Sequence, residues 1–404
     1  MSSVDGIIVG ITSLLGGGSC VIIYLLSLLA ISIMSKVGMM MPYSAGAYGI
    51  ALASWFNVEY RVQVFIVLSL YMIAMLGNGV SEGEERGSLD VGMLLGGGEG
   101  KRNRYLVRLS LLGKIGLLLI FMLLPLPAPP AHLTGVLALV IISVLLVFGG
   151  GNLIGFRGEW IGYLAAVLGQ GLLIGITSLW VERESDDIGG QLALMCCVSI
   201  PAMLFPYRGF SWEREREKKG QEEGEEELHE LSFGIVPTLL SCLLCIYTPG
   251  LSSSAVAGSL FPQDNHRVLA ISGLEGVVEG YVIHQLLNNN LVHKSPLGDL
   301  FGVDSIQWGY FTCDMLTVMV LWGAVLLSIA VVCLLPCPSW SKSKWITVAI
   351  LMSQSLTIAG GSTWLMLVVG FISLAIRRQL SYHLGEQTLG VAFILPTIFY
   401  LPDF

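Results

Sequence analysis

The run from Phe233 to Leu260 constrains this chain more than any other stretch. It holds no charged residue and is long enough to enter a bilayer. At its centre stands Thr248-Pro249-Gly250-Leu251-Ser252-Ser253-Ser254. Pro249 lacks a backbone donor and Gly250 takes positive φ readily, so a helix arriving here is expected to break. In hydrocarbon a break is tolerated only where the freed N–H and C=O groups meet protein, water or a ligand. The hydroxyls of Ser252, Ser253 and Ser254 then crowd the start of the next half-helix. Such a terminus carries partial positive charge and free donors. The stretch therefore reads as an anion or ion site near the membrane midplane, as in transporters with discontinuous helices. The competing reading is a Pro-kinked helix whose serines bond back to its own backbone.

The rest of the chain places that run in a membrane protein. Of 404 residues, 54% are hydrophobic and only 12% charged, about half the charged share of a soluble domain. Apolar runs of about 20 residues recur, giving about 10–12 hydrophobic segments and an all-α, polytopic fold with lipid around it. Residues 1–5 carry Asp5 and no Lys or Arg, so no secretory signal peptide is expected. The net charge of −8 comes largely from one loop, and no basic patch points to nucleic acid. Cys242 and Cys245 have a redox-like spacing but lie in an apolar run, where they read as buried thiols. There is no Asn-x-Ser/Thr acceptor, in keeping with a prokaryotic source.

A charged segment, 207–231, divides the chain. Its Arg214 to Lys219 and Glu222 to Glu227 read as a solvated linker between a membrane half at 1–206 and another at 232–404. The first half opens on an apolar run broken by Gly16-Gly17-Gly18-Ser19, and the second on the run broken at Pro249. Paired interrupted segments at corresponding positions point to pseudo-repeats with reentrant helical hairpins. Gly17, Gly18 and Ser19 then join Thr248, Pro249, Gly250, Ser252, Ser253 and Ser254 as substrate-binding candidates. The bland alternative is that the small residues are helix-packing surfaces. A third interruption, Gly360-Gly361-Ser362-Thr363, splits the run 345–376 in the same way.

These features resemble the large membrane subunit of tripartite tricarboxylate transporters, in its shorter archaeal branch. The likeness rests on Pro249-Gly250-Leu251-Ser252-Ser253 followed by Ala255 and Ala257. It rests also on Arg267-Val268-Leu269 with Gly273, and on the loop from Glu82 through Gly96-Gly97-Gly98 to Arg104 and Arg108. The first hairpin departs from the family in having glycines without proline. The resemblance implies an ion-coupled permease for a small organic anion such as a di- or tricarboxylate. It also implies a small membrane subunit or a substrate-binding protein as a partner.

Glu275 and Glu279 are four apart and share a helix face. Ionisable groups at membrane depth are costly and usually face a polar interior. The pair reads as an ion-coupling site for Na⁺ or H⁺, with no other cofactor and no metal centre expected. Alternatively the carboxylates are solvated at an interface. His284 lies about 140° further round a regular helix. With Glu279 it supports a rival reading, a membrane enzyme acting on lipid or isoprenoid. A third is an assembly protein with no substrate. No phosphate-binding loop and no H-E-x-x-H or G-x-S-x-G motif occurs, which weighs against an enzyme. Asp314 reads as a cap or an interfacial group, and Arg108 and Lys114 as side chains snorkelling to headgroups.

Lys and Arg concentrate in 101–114 and 208–219, which places both in the cytoplasm, with the acidic loop 181–187 outside. After removal of native Cys, a Cys at Asp186 is expected to react with an impermeant thiol reagent in intact cells. Labelling of a Cys at Glu222 instead reverses the orientation.

Overall fold

The computed structural model describes residues 18–78, 104–127, 235–247, 264–288, 295–302, 314–335 and 344–359, with a few isolated positions. All regular structure among them is helical: α1 (Gly18–Lys36), α2 (Pro42–Trp55), α3 (Tyr60–Gly77), α4 (Arg104–Leu123), α5 (Ile235–Tyr247), α6 (Asp264–Leu287), α7 (Pro296–Gly302), α8 (Met315–Leu334) and α9 (Lys344–Ala359). Three of these, α1, α3 and α8, are long and apolar enough to cross a membrane. The all-α, membrane-type fold class expected from the sequence is therefore present. Gly17, Thr248 to Ser254, Gly360 to Thr363 and the linker 207–231 lie outside the described residues.

The chain forms two compact units. Unit 1 takes Met1–Gly83, Asn103–Ala128 and Val278–Gln354, and so draws on both sides of the charged linker. Unit 2 takes Glu84–Arg102, Pro129–Val277 and Ser355–Phe404, including α5, whose Cys242 and Cys245 are buried as the sequence suggested.

Unit 1 is built around α3. Its membrane-length window is 83% buried, against 39% for α1 and 33% for α8, so α3 is the enclosed helix and the others sheathe it. From Val62 to Gly77 nearly every residue is apolar, with no charged residue on any face. A helix hydrophobic all round belongs in an interior. It packs against α2, α8 and α1. Close approach to α2 is possible because Gly49 faces it: a Cβ there would lie 3.0 Å from the Val67 Cα. Small residues at such crossings are what lets membrane helices pack.

The turns joining the first three helices are short and alike. After α1, Gly38 takes φ +67, its N–H bonds Ser35 O, and the Met39 N–H reaches back to Met34 O. After α2, Asn57 at φ 46 repeats the pattern, its N–H bonding Ser54 O while the Val58 N–H bonds Ala53 O. Both are Schellman closures, which satisfy terminal carbonyls through one left-handed residue. Pro42 then opens α2 at a position that needs no N–H, with Met41 extended before it.

Direction follows from side-chain pairs. Tyr24 meets Ser69 and Ser35 meets Ile73, so α1 and α3 run parallel. Arg61, at the start of α3, meets Asp314, at the start of α8, at 2.5 Å. Lys36, closing α1, donates to Val332 O at 2.7 Å and to Leu335 O, closing α8. Hence α1, α3 and α8 are parallel and α2 is antiparallel to them. The distance from Asp314 to Leu335 along α8 is about 30 Å at about 1.5 Å per residue, one hydrocarbon thickness. One end of the bundle is marked by the Arg61–Asp314 pair and the other by Lys36.

Asp314 is the N-cap of α8, its carboxylate accepting from the Thr317 N–H at 2.8 Å and the Thr317 hydroxyl at 2.7 Å. Those two bonds hold its pKa below the usual carboxylate range, with Arg61 adding to the effect. A depressed carboxylate stabilises the fold above its unfolded pKa and loses that contribution as pH falls through the folded value. Its side chain is 44% exposed, so the ion pair itself contributes little. Asp314→Asn keeps a capping oxygen and removes the charge. Wild type is expected to exceed it in thermal midpoint at neutral pH, with the difference vanishing as pH falls below the ordinary Asp value of 3.8.

Candidate intramembrane carboxylate site

The sequence-predicted pair on α6 separates by environment: Glu279 is buried at 5% exposure, whereas Glu275 is half-buried. Glu279 belongs to unit 1 and Glu275 to unit 2, so the boundary between the units crosses α6 between them. The Tyr71 hydroxyl donates to Glu279 Oε1 at 2.6 Å. The Ser295 hydroxyl donates to Oε2 at 3.0 Å. Tyr71 lies about 15 Å along α3 from Arg61, which places the carboxylate about halfway between the marked ends of the bundle. It therefore sits among apolar side chains at mid-depth, where a carboxyl is retained only with hydrogen-bond partners.

Ser295 reaches Glu279 because it also caps α7. Its Oγ accepts the Leu297 N–H at 3.2 Å, and Leu297, Leu300 and Phe301 bury the helix beneath it. This helix lies inside 288–309, which reads as a polar loop in the sequence. The apolar spacing at 297, 300 and 301 was the available signal, masked by the polar residues around it.

Two further groups border the site. Lys114 of α4 is not snorkelling: it is 1% exposed and donates to Met75 O at 2.7 Å. Met75 is one turn beyond Tyr71, so the ammonium and the carboxylate attach to neighbouring turns of α3. The reason lies in packing, since α4 turns this face toward α3 and the Lys stem is too far along the helix to reach its start. On α6 itself, Gly280 meets α4 so closely that a Cβ would lie 2.5 Å from Leu118 O and 2.9 Å from Phe121 Cβ.

The exit of α4 explains the remaining polar residues of α6. The helix ends at Leu123 and the chain beyond it, with Pro125 and Pro127, does not continue it, so carbonyls there are met from elsewhere. His284 Nδ1 lies 3.0 Å from Met122 O, the Gln285 amide donates to Leu126 O at 2.7 Å, and Tyr281 donates to Pro127 O at 3.4 Å. A carbonyl only accepts, so Nδ1 is assigned the hydrogen, and Nε2 takes the Asn288 amide N–H at 3.0 Å.

Of the substrate-binding candidates, Gly18 and Ser19 are described; both are exposed in the first turn of α1. Among the described residues nothing lies within 4 Å of a Cβ built on Gly18. No group of three or more His, Cys, Asp or Glu that could hold a metal occurs among the described residues.

The Gly280 crossing yields a direct test. Gly280→Leu is expected to force α6 from α4 and lower stability by about 1–3 kcal/mol or more, as overpacking does. Gly113→Leu, on the same α4 with nothing within 4 Å of its Cβ, is expected to change it little. Thermal unfolding of the two variants in one detergent compares them.

The chain matches no family model, no curated protein and no solved structure, so the reading of the site stands on its geometry.

Proposed function

We propose that the chain is a multi-pass secondary transporter of the cell membrane, moving a small organic anion such as a di- or tricarboxylate with Na⁺ or H⁺ coupling. One observation carries the reading: the buried Glu279 carboxyl, held at mid-depth by hydroxyls from α3 and from the residue before α7. Intramembrane carboxyls are expensive, and membrane proteins keep them chiefly along ion or substrate paths. The resemblance to the large subunit of tripartite tricarboxylate transporters supports the substrate class. On this reading Gly17 to Ser19 and Thr248 to Ser254 receive the anion, and Glu275 and Glu279 the coupling ion. A small membrane subunit or a substrate-binding protein is its proposed partner.

The proposed orientation puts the Lys36 end of the bundle in the cytoplasm. Lys36, Arg104 and Arg108 all belong to that end, since α4 runs antiparallel to α3 with Lys114 beside Met75. The rival enzyme reading needs His284 as an acid or base. Its two ring nitrogens are engaged by Met122 O and by Asn288, which favours a structural place for the ring.

Uptake of labelled di- and tricarboxylates into proteoliposomes tests the proposal. Glu279→Gln keeps the shape and removes the charge, and is expected to abolish ion-driven uptake while the protein still accumulates. Unchanged uptake, with the same pH and Na⁺ dependence in Glu279→Gln and Glu275→Gln, overturns the coupling role.

A further inference from the structure

The Arg61–Asp314 end of unit 1 changes character within one residue. Asp314 pairs with Arg61, which also lies 3.6 Å from Glu59, so the end itself is charged. Met315, the next residue, is apolar and 82% exposed. Leu316, Met319 and Leu326 continue an exposed apolar surface along α8, as Leu25 and Leu26 do on α1. Such a surface is costly in water and at ease in hydrocarbon.

Trp55 stands at that boundary. It closes α2, and only the turn 56–59 separates it from the start of α3. Its indole is 80% exposed and stacks on Phe56, with centroids 5.8 Å apart and planes at 19°. A large apolar ring with one N–H donor suits a place where an apolar phase meets a polar one. Tyr48 supplies the contrast. It lies seven residues earlier, on the same face of α2 and about 10 Å further along the helix. Its hydroxyl meets Ser27 Oγ at 3.1 Å. A polar tip that turns to protein rather than to its surroundings is what hydrocarbon at that depth demands.

We propose that Trp55 is the membrane-interface anchor of unit 1, seated among the headgroups and ester carbonyls of a zwitterionic phospholipid leaflet, and that it sets the depth of the bundle. Charge selects the headgroup. Two carboxylates, of Glu59 and Asp314, stand against one guanidinium, so an anionic headgroup gains nothing there. The ammonium of a zwitterionic headgroup meets those carboxylates and the indole face. The anchor needs a bilayer around unit 1 and no substrate, and so goes beyond the transport reading.

Tryptophan quenching in phosphatidylcholine vesicles tests the proposal on the full-length protein. Subtracting the emission of Trp55→Phe from that of wild type isolates the Trp55 signal. Lipids brominated near the headgroup end of their chains are expected to quench that signal more than lipids brominated near the methyl end, and more than aqueous iodide. Stronger quenching by the deep bromines or by iodide overturns the proposal. So does no quenching by any of the three, which would mean that a partner or a second copy covers the indole. Replacing half of the lipid by an anionic phospholipid is expected to leave the shallow quenching unchanged, and a rise overturns the choice of headgroup. Should Trp55→Phe fail to fold, spin labels at Met315→Cys and Leu326→Cys, each in a Cys-free background, give a second measure. The first is expected at the level of the ester carbonyls and the second about 16 Å deeper. Equal depths, or a label at 315 in open water, overturn the anchor.

Discussion

A helix enclosed by other helices has nowhere to send a polar group except into its neighbours. That constraint on α3 organises unit 1. Ser69 sits at the middle of α3 and takes part in three contacts at once. Its hydroxyl meets the Tyr24 hydroxyl of α1 at 2.6 Å and donates to Ile66 O, while its carbonyl accepts the Ser328 hydroxyl of α8. Interhelical bonds of this kind average about 0.6 kcal/mol and reach roughly 1–2 kcal/mol. Their modest size matters less than their direction, since each fixes the rotation of one sheath helix about α3.

The buried ionisable groups meet the same constraint in three ways. Lys36 lies at the end of the bundle, where the terminal carbonyls of α8 have no intrahelical donors and carry partial negative charge. A cation is favourable in that place. Lys114 finds the Met75 carbonyl in the last turn of α3. Glu279 finds hydroxyls. The first two partners are backbone acceptors that take the hydrogens of an amine. The third are hydroxyls that donate to a carboxyl.

Much of the fold was legible because it depends on local chemistry. Pro42 at the start of α2, Asp314 capping α8 and the apolar lengths of α1, α3 and α8 all follow from neighbouring residues. So does the extended Leu335 before Pro336, at φ −77 and ψ 131. The site was half legible. An intramembrane carboxylate announces itself, but four-residue spacing could not say that Glu279 is buried and Glu275 half-exposed. That difference comes from what packs on α6, not from α6. Tyr71 and Ser295 read as an ordinary aromatic and a loop serine, since their role depends on contacts with Glu279 across 208 and 16 residues. Lys114 was misplaced for a related reason: distance from a helix end suggests snorkelling, whereas the face it occupies decides burial. Arg61 was likewise invisible as the partner of Asp314.

The depth of Glu279 has an electrical consequence. Moving one elementary charge across a whole membrane is worth about 2.3 kcal/mol per 100 mV. An ion reaching mid-depth from either face would cross about half of that drop, so its binding there would change by roughly 1.2 kcal/mol per 100 mV, about sevenfold. The sign reverses with the face from which the ion comes. In a bilayer, any ion held at this carboxyl would feel the membrane potential, even though no charged helix has to move.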